Sequence, residues 1–100
     1  MNMQDMLVNS AKAVKLLKAV SNERRLLILC HLLEGELSVG ELNLRLELSQ
    51  SALSQHLALL RRHKLVKTRK AAQTVYYSLN SKEVEALIAL MHKLYCADDV

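Results

Sequence analysis

Residues 49–70 read SQSALSQHLALLRRHKLVKTRK, and their hydrophobic period changes partway along. In the first half, leucines recur at the i, i+4 and i+7 spacing of one helix face, at Leu53, Leu57 and Leu60. After Lys64 the apolar residues alternate with polar ones, which is typical of a strand. The stretch therefore predicts a helix, capped by Ser49 and running to about His63, that leads directly into a β-hairpin.

Three helices are predicted before this stretch. The first covers residues 3–20, and its apolar positions recur at helical spacing, at Leu7, Ala11, Val14 and Leu17. The second covers residues 23–34 and is apolar nearly all round, so we expect it to be the buried central helix, ended by Gly35. Ser38 and Glu41 have the spacing of a capping box, which predicts the start of a short third helix.

A hairpin and one more helix follow. The two strands are expected at residues 65–69 and 74–78, joined by a tip at residues 70–73. Because this tip has no glycine, we do not expect a tight two-residue turn of type I′. Asn80, with Glu83 three residues later, is expected to start the last helix. Its apolar positions face one way and are Val84, Leu87, Ile88, Met91, Leu94 and Tyr95.

This order of elements predicts a mainly α fold with one β-hairpin, arranged α-α-α-α-β-β-α. Two short helices joined by a tight turn and followed by a basic hairpin describe a winged helix-turn-helix domain. We expect residues 1–100 to form one such domain, because the length leaves no room for a second. We call the helix at 49–63 the recognition helix and the hairpin the wing.

The composition bounds the possible classes of protein. Leucine supplies 22 of 100 residues, and Phe, Trp and Pro are absent. So much aliphatic side chain exceeds what one short chain can bury, which favours a homodimer. No apolar run approaches a membrane span and no charged-then-apolar leader opens the chain, so we expect no membrane association and a cytoplasmic location.

Charge is strongly segregated along the chain. The 35 residues between Glu47 and Glu83 contain no Asp or Glu, and six Lys or Arg fall within residues 61–70. The rest of the chain is slightly acidic, since all ten Asp and Glu lie there. A basic block on an acidic body is typical of a surface that binds a polyanion, although a solvated cationic face without a partner is the plainer interpretation.

The polar face of the recognition helix has side chains that read base edges. Gln pairs bidentately with adenine, and Ser hydroxyls donate to or accept from any base. Arginines at the end of the helix and cations of the wing are better placed for phosphate or the narrow groove. The candidate DNA-binding residues are Gln50, Ser51, Ser54, Gln55, His56, Arg61, Arg62, Lys67, Arg69, Lys70 and Gln73.

These residues also have simpler interpretations. Taken singly, Ser51 and Ser54 are ordinary solvated helix surface. His56, on the flank of the recognition helix, is as readily a packed or hydrogen-bonded residue as a DNA contact. Turn, polar helix and basic wing together favour DNA recognition. The other histidines are isolated in the sequence and are expected to be surface residues.

Several stretches together form a family pattern, of which Ser-x-x-Ser-x-His-Leu-x-x-Leu over residues 51–60 is the most specific. The others are Asn22–Leu26, Glu36–Leu42, Leu65–Val66 and Tyr76–Tyr77. On these residues the chain resembles the ArsR/SmtB family of dimeric winged-helix regulators. The resemblance implies a homodimer formed through the first and last helices, which binds double-stranded DNA at an imperfect inverted repeat.

The metal sites of that family can be compared by position. One site uses a Cys-x-Cys pattern in the third helix, where this sequence has Ser38 and Gly40. The other uses Asp, two His and Glu on the last helix, and aligning His92 leaves Leu79, Ser81 and Tyr95 at the remaining positions. We therefore expect no regulatory metal at either site, and no cofactor.

The two cysteines match a different branch of the family, with one thiol in the second helix and one at the end of the last. That branch includes sulfide- and redox-responsive repressors and also an activator of virulence genes, which this sequence resembles closely at residues 10–14 and 47–57. Resemblance to that activator implies activation of virulence genes, more by displacing a silencing nucleoid protein from DNA than by recruiting polymerase.

Cys30 and Cys96 are therefore candidate redox-sensing residues, which would bond directly or through bridging sulfur when oxidant or reactive sulfur rises. Arg24, Arg25 and Lys93 are expected near them, and cations favour the reactive thiolate. Against this, a helix C-terminus near Cys96 disfavours an anion. The alternative is that Cys30 is a small core residue and Cys96 an incidental surface thiol.

Three other functions compete with this interpretation. An enzyme is not expected, because the sequence has no glycine-rich phosphate loop, no paired metal-ligand motif and no nucleophile with an evident base. If the protein were an enzyme, thiol chemistry at Cys30 and Cys96 would be the strongest candidate for its reaction. The others are a winged-helix module that binds protein, and a thiol-insensitive repressor.

Overall fold

The computed structural model describes residues 2–96, and the winged helix-turn-helix fold is confirmed over them. The elements of this described part are α1 (Met3–Val20), α2 (Glu23–Leu33), β1 (Leu37–Ser38), α3 (Val39–Arg45), α4 (Gln50–Arg62), β2 (Val66–Ala71), β3 (Thr74–Leu79) and α5 (Lys82–Cys96). Helices α3 and α4 are the helix-turn-helix pair, and β2 and β3 form the wing. Within residues 2–96, no helix combines the length and the apolar character needed to cross a membrane.

Most helix ends lie where side-chain caps predicted them. The Ser38 and Glu41 side chains each accept a hydrogen bond from the other residue's backbone N–H, which completes the capping box of α3. Ser49 Oγ accepts from Ala52 N and begins α4. Gly35, with φ of +148°, ends α2 as expected, since few other residues adopt this conformation.

The predicted start of the last helix was wrong. Ser81, not Asn80, caps α5, because its Oγ accepts a hydrogen bond of 3.2 Å from Val84 N. The Asn80 side chain instead donates to the carbonyl oxygen of Lys64 at 3.0 Å. Asn80 therefore ties the entry of the wing to its exit.

The sheet has three strands among the described residues, in the antiparallel order β1-β3-β2, whereas the sequence predicted the hairpin alone. The added strand β1 has two residues, Leu37 and Ser38, which pair with Tyr77 and Tyr76. The wing strands run slightly further than predicted, to Ala71 and Leu79. Strand β1 therefore ties the wing to the segment between α2 and α3.

The wing turn is tighter than expected. Only two residues, Ala72 and Gln73, join the strands, and Ala72 takes a positive φ of 56°. Gln73 is not among the described residues with positive φ, so the turn lacks the two left-handed residues of type I′. The expectation that a tip without glycine would not form a type I′ turn is confirmed. The tip is shorter than the predicted residues 70–73, because β2 continues to Ala71 and pairs with Thr74.

The core is aliphatic and centres on α2. Its Ile28 and Leu29 are fully buried, and the predicted inward leucines of α4, Leu53, Leu57 and Leu60, are buried against it. Helix α1 buries different residues from those that form its apolar stripe in the sequence. It packs within the chain through Leu16, Ala19 and Val20, while the predicted stripe is left in solvent, with Leu7 at 68% exposed.

Candidate nucleic-acid interface

Helix α4 presents its polar face to solvent because its leucines hold the opposite face in the core. Four predicted base-reading side chains are exposed, and these are Gln50, Ser51, Ser54 and Gln55. Ala58 on the same face is exposed and adds no bulk. An exposed polar helix of 13 residues has the length and shape to enter a major groove.

His56 lies at the flank of α4 and is half-buried. Burial lowers the pKa of its imidazole, and the charges of Arg25 and Arg24 on α2 lower it further. A pKa below the ordinary value leaves the ring neutral at neutral pH. These surroundings favour the packed interpretation of His56 over a charged contact to phosphate.

The end of α4 and the wing enclose a cleft of about 450 Å³. It is lined by Val39, Ser54, Leu57, Ala58, Arg61, Arg62 and Tyr77. Arg61 and Arg62 are exposed, and the structure pairs neither with an acidic side chain within residues 2–96. Cations beside a polar helix surface are suited to the phosphates that flank a groove. Tyr77 is a lining residue that sequence reasoning did not single out.

The wing brings Lys67, Lys70 and Gln73 to the surface, as predicted. Arg69 is also exposed but is not free. Its Nε and Nη2 donate to the two carboxylate oxygens of Glu36 at 3.0 and 2.8 Å, and its guanidinium lies 4.6 Å from the centre of the Tyr76 ring. Sequence reasoning missed Glu36, because the two charges are 33 residues apart and meet only in the folded sheet.

The thiols lie on a different part of the molecule. Cys30 is half-buried on α2 and Cys96 is exposed at the end of α5, and both are free. Burial raises the pKa of the Cys30 thiol, and the nearby Cys96 raises it further. The prediction that neighbouring cations would favour a thiolate at Cys30 was wrong. The two thiols nevertheless lie close enough to influence each other electrostatically.

Metal ligands are not gathered in the described part of the chain. Among residues 2–96, no three His, Cys, Asp or Glu side chains come together as a possible metal site.

An exposed polar helix, preceded by a short helix and flanked by a basic hairpin, defines the class of winged helix-turn-helix DNA-binding proteins. Residues 22–68 match the family model described as "Bacterial regulatory protein, arsR family". A relative described as transcriptional activator HlyU, from Vibrio cholerae, is 72% identical over 96 residues, which cover 96% of this chain and 89% of that protein. The chain therefore belongs to the ArsR family of DNA-binding transcription regulators.

Solved structures agree with this assignment. Reduced HlyU from Vibrio cholerae is 71% identical, with a TM-score of 0.89, and the match covers 94% of this chain and 99% of that one. The transcriptional repressor BigR from Xylella fastidiosa is 35% identical with the same TM-score, over 98% of this chain and all of that one. These relatives are described as regulators of transcription, one as an activator and one as a repressor.

Proposed function

We propose that this chain is a homodimeric regulator that binds double-stranded DNA at an imperfect inverted repeat. One observation carries the proposal. Leu53, Leu57 and Leu60 are buried while the serines and glutamines between them are exposed, so α4 is held with its base-reading side chains outward. Within residues 2–96, Arg61 and Arg62 at the end of α4 also have no acidic partner, which leaves their charges available to phosphates.

The dimer is supported by apolar surface on the first and last helices. Helix α1 leaves Met3, Leu7, Val8 and Leu17 more than half exposed, and Leu94 and Tyr95 of α5 are 60% and 81% exposed. Several large apolar side chains left in solvent on two helices are typical of a protein interface. Two copies joined through α1 and α5 would present two recognition helices, as an inverted repeat requires.

The contacts divide by chemistry. Gln50, Ser51, Ser54 and Gln55 would read base edges, with His56 packed beside them. Arg61, Arg62 and Lys70 would neutralise phosphates, and Gln73 at the wing tip would reach the neighbouring groove. Lys67 lines a cleft with Leu32 and Leu33 on the other face of the wing, so we do not assign it a phosphate. Phosphate contacts set affinity and its dependence on salt, whereas the α4 side chains set sequence preference.

We propose that the protein activates virulence genes and does not repress them. The 72% identity to a transcriptional activator supports it. A dimer that occupies duplex DNA activates when it displaces a silencing nucleoid protein from the same site, and this competition needs no contact with polymerase. The alternative is a thiol-insensitive repressor. The similarity to the repressor BigR supports this alternative.

We further propose that Cys30 and Cys96 respond to oxidant or reactive sulfur. Their electrostatic proximity supports this. A bond formed between two thiols releases two electrons and two protons to the oxidant, and it would link α2 to the end of α5. Because α5 belongs to the proposed dimer surface, that link would alter the spacing of the recognition helices and weaken DNA binding.

The test starts from selection of duplexes out of a random library by the reduced protein. We expect a recovered sequence with two-fold symmetry and half-sites about one helical turn apart. Treatment with persulfide should weaken binding to this duplex in the wild type but not in Cys30→Ser/Cys96→Ser. Recovery of no shared sequence would contradict the DNA-binding proposal, and equal weakening of both proteins would contradict the thiol proposal alone.

A further inference from the structure

One cationic side chain of the wing, Arg69, already forms an ion pair within the protein. Arg69 on β2 stands opposite Tyr76 on β3, and Tyr76 stands opposite Ser38 on β1. Glu36, two residues before Ser38, receives both hydrogen bonds of the guanidinium. The cluster thus joins β2 and β3 to Glu36, the residue that precedes β1.

The geometry of the pair is specific. Two parallel N–H···O bonds at 3.0 and 2.8 Å orient the guanidinium, and stacking over the Tyr76 ring holds its plane. The hydrogen bond from Arg69 is the largest cause that lowers the pKa of Glu36, so the carboxylate is charged at neutral pH. Exposed ion pairs contribute little to stability in general, but this one fixes an orientation.

The cluster also lies on the wrong face of the wing for a groove contact. Side chains alternate along a strand, so Lys67 and Arg69 share one face, and Thr68 and Lys70 share the other. Tyr77, opposite Thr68, lines the cleft beside α4. Lys67, by contrast, lines a cleft with Leu32 and Leu33 at the end of α2. Arg69 therefore points away from the surface proposed for DNA.

We propose that Arg69 is a positioning residue, which uses Glu36 and Tyr76 to fix the angle of the wing. On this account Arg69 holds no phosphate, and Lys70, on the α4 side of the strand, does. The proposal rests on the proposed DNA-binding function, and it assigns opposite roles to two neighbouring cations of one strand.

The salt dependence of DNA affinity separates these roles. Each neutralised phosphate contributes about 0.9 to the slope of log K against log salt, so removing one phosphate-binding cation from each subunit of a dimer lowers the slope by about 2. We expect Lys70→Gln to lower the slope in this way. We expect Arg69→Gln to weaken binding several-fold with the slope unchanged.

Glu36 supplies the second arm. Glu36→Gln should weaken binding as Arg69→Gln does, and the reversed pair Glu36→Arg/Arg69→Glu should recover much of the affinity. If Glu36 instead sequestered a DNA-binding arginine, Glu36→Gln would strengthen binding and steepen the slope. That result, or a slope lowered by Arg69→Gln as much as by Lys70→Gln, would overturn the proposal.

A measurement without DNA tests the same cluster separately. Arg69→Gln and Glu36→Gln should speed hydrogen exchange of the wing amides, whereas Lys70→Gln should not, because only the first two release the wing. Unchanged exchange in all three variants would overturn the positioning role. A third outcome separates the two proposals. If exchange is faster in the first two variants but the wild type has no affinity for duplex DNA, the proposed DNA-binding function is contradicted, while the role of Arg69 and Glu36 in holding the wing is supported.

Discussion

The Nε atom of Arg25 donates a hydrogen bond of 2.6 Å to the carbonyl oxygen of Ala19, and so joins the start of α2 to the end of α1. Its Nη2 also reaches the carbonyl oxygen of Lys18 at 3.5 Å. The last carbonyl groups of a helix lack partners within the helix, and a cation near them is favourable. Since α1 carries apolar surface proposed for the dimer, this bond connects that surface to the core.

Substitution of Arg25 should therefore destabilise the protein. Arg25→Gln loses a charge-assisted hydrogen bond at a half-buried position, and we expect a loss of about 1.5–3 kcal/mol in the free energy of unfolding. Urea denaturation at one fixed protein concentration measures it. Arg24→Gln is the matched control, because Arg24 is exposed, and it should cost less than about 0.5 kcal/mol. Equal losses in the two variants would contradict this role for Arg25.

The apolar surface of α1 and α5 should hold two copies together. Leu94→Glu places a charge on that surface, and we expect sedimentation equilibrium to show monomers where the wild type shows dimers, since burying an unpaired charge is costly. Leu44→Glu is the control, because Leu44 is 89% exposed on α3, away from both helices. It should remain dimeric. A Leu94→Glu variant that stays dimeric, or a wild type that is monomeric at micromolar concentration, would rule out this interface.

The capping box of α3 should make stability depend on pH. Hydrogen bonds from the Ser38 backbone and side chain lower the pKa of Glu41, so its carboxylate stabilises the fold above the ordinary carboxyl pKa and that gain is lost as pH falls through the lowered value. We expect Glu41→Gln to be less stable than wild type at neutral pH, and the difference to shrink at about pH 3. Urea denaturation at both pH values checks this.

Two further variants serve as a comparison and a control for Glu41→Gln. Ser38→Ala removes the hydroxyl of the box and should cost about 1 kcal/mol. Glu47→Gln, at an exposed acid in the turn after α3, should have little effect at either pH. If the difference between Glu41→Gln and wild type were the same at both pH values, the carboxylate would not be the stabilising group.

The Cys30 thiol should react slowly at neutral pH. Burial and the nearby Cys96 raise its pKa, and only the thiolate is nucleophilic. In Cys96→Ser the pKa of Cys30 should fall, because a neighbouring negative charge is removed, so alkylation of Cys30 should begin at lower pH. Mass mapping of the alkylated peptides follows Cys30 alone. Tyr95→Phe is the control and should leave the profile unchanged, and an identical profile in Cys96→Ser would show that the thiols do not interact.

The helices could be predicted from sequence because local signals mark them. Ser38, Ser49 and Gly35 begin or end helices through contacts with residues a few positions away. Strand β1 has no such signal, since two residues cannot show an alternating period. Asn80 had the side chain of a cap, but its amide is engaged by Lys64 in the folded chain, and Ser81 caps the helix instead.

The candidate site was predictable in outline for the same reason. The exposure of Ser54 and Gln55 follows from the burial of Leu53 and Leu57 on one helix. The pairing of Arg69 with Glu36 depends on the register of three strands, which no local pattern encodes. The raised pKa of Cys30 likewise depends on packing around α2 and on the approach of α5.

The central claim is that the polar face of α4 distinguishes DNA sequences. We would measure the affinity of the dimer for its selected duplex and for a scrambled duplex of equal length, in one buffer. The wild type should prefer the selected duplex by roughly 1,000-fold or more.

The decisive variant is Ser54→Ala/Gln55→Ala, with Lys15→Gln as a control that removes a cation from α1 and leaves the polar face of α4 intact. The double variant should lose about 1–3 kcal/mol of discrimination for each base pair no longer read, while its affinity for the scrambled duplex stays nearly constant. Lys15→Gln should keep the wild-type preference. Full discrimination by the double variant would contradict the assignment of α4 as the reading element.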